Sequence, residues 1–345
     1  MDIVQRKSPP PSPAPPPPRP SPPPPPPPLN LTAASCTRAL SQSGLWGLDS
    51  LDRSASALLD SSYTWAPCTG GTPTHVFMID TGIYAAHTEL SGRVSSAATC
   101  TVSSGCSWAD DNGHGTHCSG IAGGQAVGVD GVVTLHAVKV LSSSGSGSVS
   151  AVAAGVNWVA QQVAANAALR PAVVSMSLGG GLSSTIDNAV KNLVAAGVPA
   201  VVAAGNSATS ACSSSPADVA TAITVAAADS TGAHASFSNY GSCVDVYAPG
   251  VGVYSSVNTA PGAYATWSGT SMATPHVAGT VALMLSAKPC LSPAELASLL
   301  VSTATPTVTG VPAGTTNRLV LATAAVRAAA AATCASATGV TGRRH

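Results

Sequence analysis

His75-Val76-Phe77-Met78-Ile79-Asp80-Thr81-Gly82 is a short apolar run closed by a carboxylate and a glycine turn. An unbroken apolar run of this length, bounded by turn residues, suits a strand covered on both faces. Three more follow, at 134–141, 172–178 and 198–204. Between them, 148–164 and 184–196 carry apolar residues at helical spacing, with serines placed to cap the first turns. Strands alternating with helices predict βαβ units, hence a three-layer α/β fold with a mostly parallel central β-sheet flanked by helices. Asp80 then lies at the carboxyl end of its strand, where open sheets of this kind hold ligands.

Outside this stretch the chain changes character. Residues 8–28 are almost all proline, which fixes φ and donates no amide hydrogen, so an extended polyproline II rod is expected. Three segments result: a proline-rich linker over 1–33, a folded domain over 34–327, and an alanine-rich then basic tail over 328–345. The Ser-Pro runs resemble spacer modules of plant and algal wall glycoproteins, which suggests association with a cell wall. With 345 residues the chain can build one large core, since a domain of about 250–300 residues buries roughly 75% of its unfolded surface.

The formal net charge is zero and only 8% of residues are charged, so no electrostatic footprint for nucleic acid or an anionic membrane is present. No apolar run reaches the ~18 residues of a membrane span, and residues 1–7 hold no apolar signal-peptide core. The nine cysteines nevertheless suggest an oxidising, secreted setting. Cys100 and Cys106 are near enough in sequence to close a small loop, whereas the pairing of Cys36, Cys68, Cys290 and Cys334 stays open. Asn30-Leu31-Thr32 is a glycosylation sequon, which also favours secretion.

Chemistry is concentrated in Gly269-Thr270-Ser271-Met272-Ala273-Thr274-Pro275-His276-Val277-Ala278-Gly279. A serine hydroxyl is a weak nucleophile that needs a base within reach and donors aimed at the oxyanion its attack creates. Asp111-Asn112-Gly113-His114-Gly115-Thr116-His117-Cys118 offers the base, and Asp80 a carboxylate to orient it. His114 and Ser271 each open a helix-like segment, at 115–123 and 272–287, and a helix N-terminus favours a developing anion.

The segments 79–82, 113–117 and 269–276, in the order Asp, His, Ser, resemble the three active-site signatures of subtilisin-like serine proteases, closest to the proteinase K branch. The resemblance spans about 34–325. It implies a subtilisin-like fold and a serine endopeptidase in which Ser271 attacks the scissile carbonyl, His114 shuttles the proton and Asp80 orients the imidazole. It assigns Asn206 to the oxyanion hole beside the Ser271 backbone N–H. Its replacement by alanine is then expected to cost turnover with little change in folding. His117 and His276 read as packed structural residues.

The same resemblance places an extended polypeptide substrate between Ser144-Gly145-Ser146-Gly147 and Ser177-Leu178-Gly179. Without it, the first of these reads equally as a flexible loop. Ala203-Ala204-Gly205 becomes one wall of a roomy apolar specificity pocket, hence broad cleavage after aromatic or aliphatic residues. No cofactor is required for the chemistry. A structural calcium site is implied at Asp245 with backbone carbonyls of Ala220 and Ala222. Asp49 and Asp52 resemble a second calcium cluster, in which Arg53 replaces a neutral ligand. Cys212 and Cys243 match a disulfide, and Cys118 a buried thiol, of the branch. A monomer is expected. Relatives of this kind usually fold with an N-terminal inhibitory propeptide, and nothing in 1–33 could fold into one; either the sequence is an incomplete precursor or folding proceeds otherwise, and a propeptide or protein inhibitor not in this sequence is an expected partner.

Two other readings compete. An esterase would need Gly-x-Ser-x-Gly with histidine last, and the sequence shows neither. A catalytically inactive, protease-like wall glycoprotein would be expected to have lost one of Asp80, His114, Asn206 or Ser271, and all four are present.

Overall fold

The structure is a computed structural model and describes residues 3–5, 37–40, 43–52, 60–64 and 72–332. The proline-rich rod, the sequon, Cys36, Cys68, Cys334 and the basic tail lie outside the described residues.

Short strands β1 (Ile3–Gln5), β2 (Thr37–Ala39) and β3 (Ser62–Thr64) precede the first long one, β4 (His75–Asp80). The chain continues through β5 (Thr99–Cys100), β6 (Thr134–Lys139), β7 (Ser146–Ser148), β8 (Ala172–Met176), β9 (Ala200–Ala203), β10 (Ile223–Ala228) and β11 (Val246–Pro249). The hairpin β12 (Val253–Ser256) and β13 (Tyr264–Trp267) follows, then β14 (Thr305–Pro306) and β15 (Arg318–Leu319). The helices are α1 (Trp46–Asp52), α2 (His114–Gly123), α3 (Val149–Ala165), α4 (Ser184–Ala195), α5 (Thr270–Ala287), α6 (Pro293–Thr303) and α7 (Ala322–Ala331). One nine-stranded sheet has the order β14-β15-β11-β10-β9-β8-β4-β6-β5 and is parallel except for β14 on its edge.

Strand pleating explains the layers. Along β4, Val76 and Met78 join a core with Ile121 and Ala122 of α2 and Val277 and Val281 of α5. Phe77 and Ile79 point the other way, into a core with Val152 and Val156 of α3 and Ile186 and Val190 of α4. Successive side chains leave opposite faces of a strand, so an apolar run without alternation is what a sheet buried on both faces demands. Helix α5 runs through the interior and is buried from Thr270 to Leu285.

Several boundaries differ from the sequence expectation. The strands stop at Lys139, Met176 and Ala203, short of the apolar runs, because the next residues leave the ladder to form loops at the carboxyl edge. Two strands, β10 and β11, add to the sheet beyond those expected; β10 is half alanine, a residue of low strand propensity, and is buried at every position. The packed domain also passes the boundary drawn at 327: α7 continues to Ala331, and Ala329 is buried in the core shared with α5.

From β4 the chain moves to β6 on one side, then crosses to β8 on the other. Loops at the carboxyl ends of β4, β8 and β9 therefore diverge around one crevice, the place such sheets use for ligands.

Candidate active site

Asp80 ends β4 and His114 begins α2. The two elements are joined by Asp110, a buried carboxylate that accepts hydrogen bonds from Thr81 Oγ1, Thr116 Oγ1 and the backbone N–H groups of Asn112, Gly113 and Thr116. A carboxylate here also complements the positive end of α2. Thr81 Oγ1 in turn accepts from the Gly115 N–H at 2.8 Å. Gly115 permits this docking because a β-carbon there would lie 2.1 Å from the Gly82 carbonyl oxygen.

The result is a buried pair in which His114 Nδ1 lies 2.8 and 3.0 Å from the two Asp80 oxygens. The Thr81 N–H donates to Asp80 Oδ1 at 2.7 Å. With its Nδ1–H directed at the carboxylate, the imidazole presents Nε2 as an acceptor. Lys139 supports the same turn, its Nζ donating to the carbonyls of Thr81 and Leu141 and to Asp111.

Ser271 sits in the first turn of α5. The structure brings it beside His114 across the packed α2 and α5: Cys118 Sγ, 3.9 and 4.0 Å from the His114 nitrogens, donates to the Ser271 carbonyl at 3.4 Å. The Ser271 hydroxyl itself donates to the Ser177 carbonyl at 3.2 Å.

A recess of about 290 Å³, counting its open mouth, adjoins Ser271. Of the residues named from the sequence, the wall residues Ala203, Ala204 and Gly205, the edge residues Leu178 and Gly179, and Asn206 all line it, and Gly180, Ser214 and Thr270 line it as well. No sequence signal marked Gly180 or Ser214. Asn206 is held at its carbonyl end, where Oδ1 accepts from the Thr270 N–H at 2.8 Å and Oγ1–H at 2.9 Å. A β-carbon built on Gly269 would stand 3.5 Å from Asn206 Nδ2 and 3.6 Å from the Ser271 nitrogen. Asn206 Nδ2 and the Ser271 nitrogen thus both lie near one point beside Gly269. Because Asn206 also holds the N-terminus of α5, its removal will not spare folding as the sequence reading supposed.

Ser144, Gly145, Ser146 and Gly147 do not line the recess; they form a tight turn and part of strand β7. Ser142 closes that turn by bonding the Ser146 carbonyl, and a β-carbon at Gly147 would lie 2.2 Å from the Val140 oxygen. The glycine serves close packing here, not looseness. The free edge of β7 carries an antiparallel strand, β1, with Ile3 opposite Ser148 and Gln5 opposite Ser146. Ser177 differs from its neighbours Leu178 and Gly179: it does not line the recess, and its hydroxyl donates to the Ser271 carbonyl.

His117 and His276 are buried, and burial pushes their imidazoles down to about 3 and about 4. Both stay neutral at ordinary pH. Trp267 stacks on His117 with ring centroids 4.5 Å apart, and on His114 at 6.3 Å, nearly parallel to both.

Asp245 accepts from the Thr224 N–H at 2.7 Å, and burial raises its carboxyl to about 6. The ion pairs among the described residues do not include it. A half-buried carboxylate without a cationic partner, close to the turn that holds Ala220 and Ala222, fits a hard cation. Asp49 differs, since both its oxygens are taken by the N–H groups of Asp60 and Ser61. Cys100–Cys106 and Cys212–Cys243 are disulfides, Cys118 is a buried thiol, and Cys290 is bridged to a partner outside the described residues.

Comparison with known proteins agrees with this geometry. The sequence model of the Subtilase family matches residues 71–330. An extracellular serine proteinase of Thermus sp. (strain Rt41A) is 47% identical over 270 residues, covering 78% of this chain and 64% of that protein. Alkaline serine exoprotease A of Vibrio alginolyticus is 47% identical over 276 residues, 80% of this chain and 50% of its own. The chain thus spans between half and two thirds of the length of these relatives. Among solved structures, a cold adapted subtilisin-like serine proteinase superposes with a TM-score of 0.75 at 44% identity, covering 80% of this chain and 97% of that one.

Proposed function

The chain belongs to the subtilase family and has its fold, and from that premise we propose that it is a serine endopeptidase acting through an acyl-enzyme. The observation that carries the reading is the buried Asp80–His114 pair set against Ser271 at the N-terminus of α5. Ser271 Oγ attacks the scissile carbonyl as His114 Nε2 takes its proton, and Asp80 stabilises the resulting imidazolium. The tetrahedral oxyanion is received by the Ser271 N–H and Asn206 Nδ2, donors fixed before substrate arrives. His114 then protonates the leaving amine, and water repeats the sequence to free the acid.

The substrate is an extended polypeptide added as a strand to the edge of β7, with its side chain before the scissile bond in the recess beside Ala203, Ala204 and Gly205. That β7 accepts an antiparallel strand supports this reading, since backbone pairing gives affinity without demanding a sequence. Small uncharged lining residues favour aromatic or aliphatic side chains. A calcium ion held by Asp245 and the carbonyls of Ala220 and Ala222 would supply charge compensation to the fold and no catalytic step. The disulfides favour an extracellular setting. No helix among the described residues is long and apolar enough to cross a membrane.

Incubation with casein and with a serine-directed fluorophosphonate, wild type against Ser271→Ala, tests the proposal. Cleavage and labelling by wild type alone are expected. A folded wild type that neither cleaves nor labels would favour an inactive, protease-like binding protein.

A further inference from the structure

Pro275 stands inside α5, four residues after Ser271. Proline has no N–H, so the Ser271 carbonyl lacks the donor that the helical ladder would supply. That carbonyl is satisfied from outside the helix: Ser177 Oγ–H donates to it at 2.9 Å and Cys118 Sγ–H at 3.4 Å. The Ser177 backbone carbonyl, in return, accepts the Ser271 hydroxyl at 3.2 Å. Two residues 94 positions apart thus exchange two hydrogen bonds, and both are buried.

We infer that the Ser177 side chain is a positioning residue that fills the hydrogen-bonding gap made by Pro275 and ties Ser271 to the central sheet instead of to its own helix. The inference rests on the reading of Ser271 as nucleophile. Ser177 directly follows β8, one of the central strands, so the tie is to a part of the molecule packed on both faces. The Ser271 peptide that it holds carries the reacting Oγ and borders the oxyanion donors. A residue so held has little freedom to tilt, which preserves near-attack geometry. Cys118 cannot replace the tie by itself, because a thiol is a weak donor. The Ser177 hydroxyl is therefore committed to the nucleophile, and only the backbone around it remains for substrate.

The proline origin of the gap makes the inference separable from general packing. Pro275→Ala restores an N–H to the position that faces the Ser271 carbonyl, so Ser177 should then become dispensable. The test is a cycle of wild type, Ser177→Ala, Pro275→Ala and the double variant, with turnover normalised to fluorophosphonate-titrated sites so that unfolded molecules are not counted. Ser177→Ala alone is expected to lower kcat by about 10- to 100-fold with KM within about 3-fold, and in the Pro275→Ala background by less than about 3-fold. Ser177→Thr, which keeps the hydroxyl, should retain activity. Urea unfolding of the same four proteins should show the same non-additivity, a readout that needs no catalysis. A wild type without activity but with that non-additivity would remove the peptidase reading and leave the tie in place. If Ser177→Ala does not fold, Ser177→Cys, offering only a weak donor, takes its place in the cycle. Equal losses in both backgrounds, or no loss at all, would overturn the inference.

Discussion

Asn206→Ala removes one of the two donors assigned to the oxyanion. Both nitrogens lie near one point beside Gly269, 3.5 Å from Asn206 Nδ2 and 3.6 Å from the Ser271 nitrogen, and the Ser271 N–H remains after the substitution. In a subtilisin the matching asparagine is worth about 100- to 1000-fold in turnover, and that magnitude is carried over here. The structure adds a second cost. Asn206 Oδ1 accepts both the Thr270 N–H and its hydroxyl, and Thr270 is fully buried at the start of α5. Leaving a buried donor without its acceptor costs about 1–3 kcal/mol, enough to lower Tm by several degrees. Asn206→Asp separates the two effects, since a carboxylate still accepts from Thr270 but offers an anion where the oxyanion needs a donor. Turnover of a peptide p-nitroanilide per titrated site, together with calorimetric Tm, is the assay. Alanine should lose both turnover and stability; aspartate should lose at least as much turnover while keeping more stability. An alanine variant within about 5-fold of wild-type kcat, or an aspartate variant more active than alanine, would refute the oxyanion assignment.

Two further outcomes are expected. The Asp245 carboxyl is raised by burial to about 6 in the folded protein, so its ionised form is a liability above that pH and none below the unfolded value near 4. In EDTA, Asp245→Asn should therefore raise Tm at pH 8 and change it little at pH 4; with millimolar calcium the order at pH 8 should reverse, and an unchanged order would exclude the metal. Because β1 occupies the edge of β7, deleting residues 1–7 should lower KM for long peptides by roughly 3- to 10-fold at constant kcat, and an unaltered KM would show that the edge is not used by substrate.

Much of the architecture is written locally. Doubly buried strands read as unbroken apolar runs, and α3 carries its own serine cap in Ser148, whereas Ser183 before α4 makes no side-chain cap bond, so the sheet and its carboxyl-edge site are legible at 75–82. What escapes is whatever depends on partners far along the chain. Asp110 looks like one more polar residue in a turn until its five donors, from both β4 and α2, are assembled around it. Ser214 and Gly180 enter the recess only because the loops after β8 and β9 meet there. Strand β10 is half alanine and becomes a strand by burial.

The sequence by itself determined the chemistry available: a serine, a histidine, a carboxylate and an amide in the order and local settings that acyl transfer needs. Only the tertiary structure decided how they are held. Proline in α5 takes away a donor that local sequence would supply, and a serine following a distant strand returns it. A backbone hydrogen bond lost within a helix can be restored only by a group that folding brings near, and no local pattern can announce which group that will be.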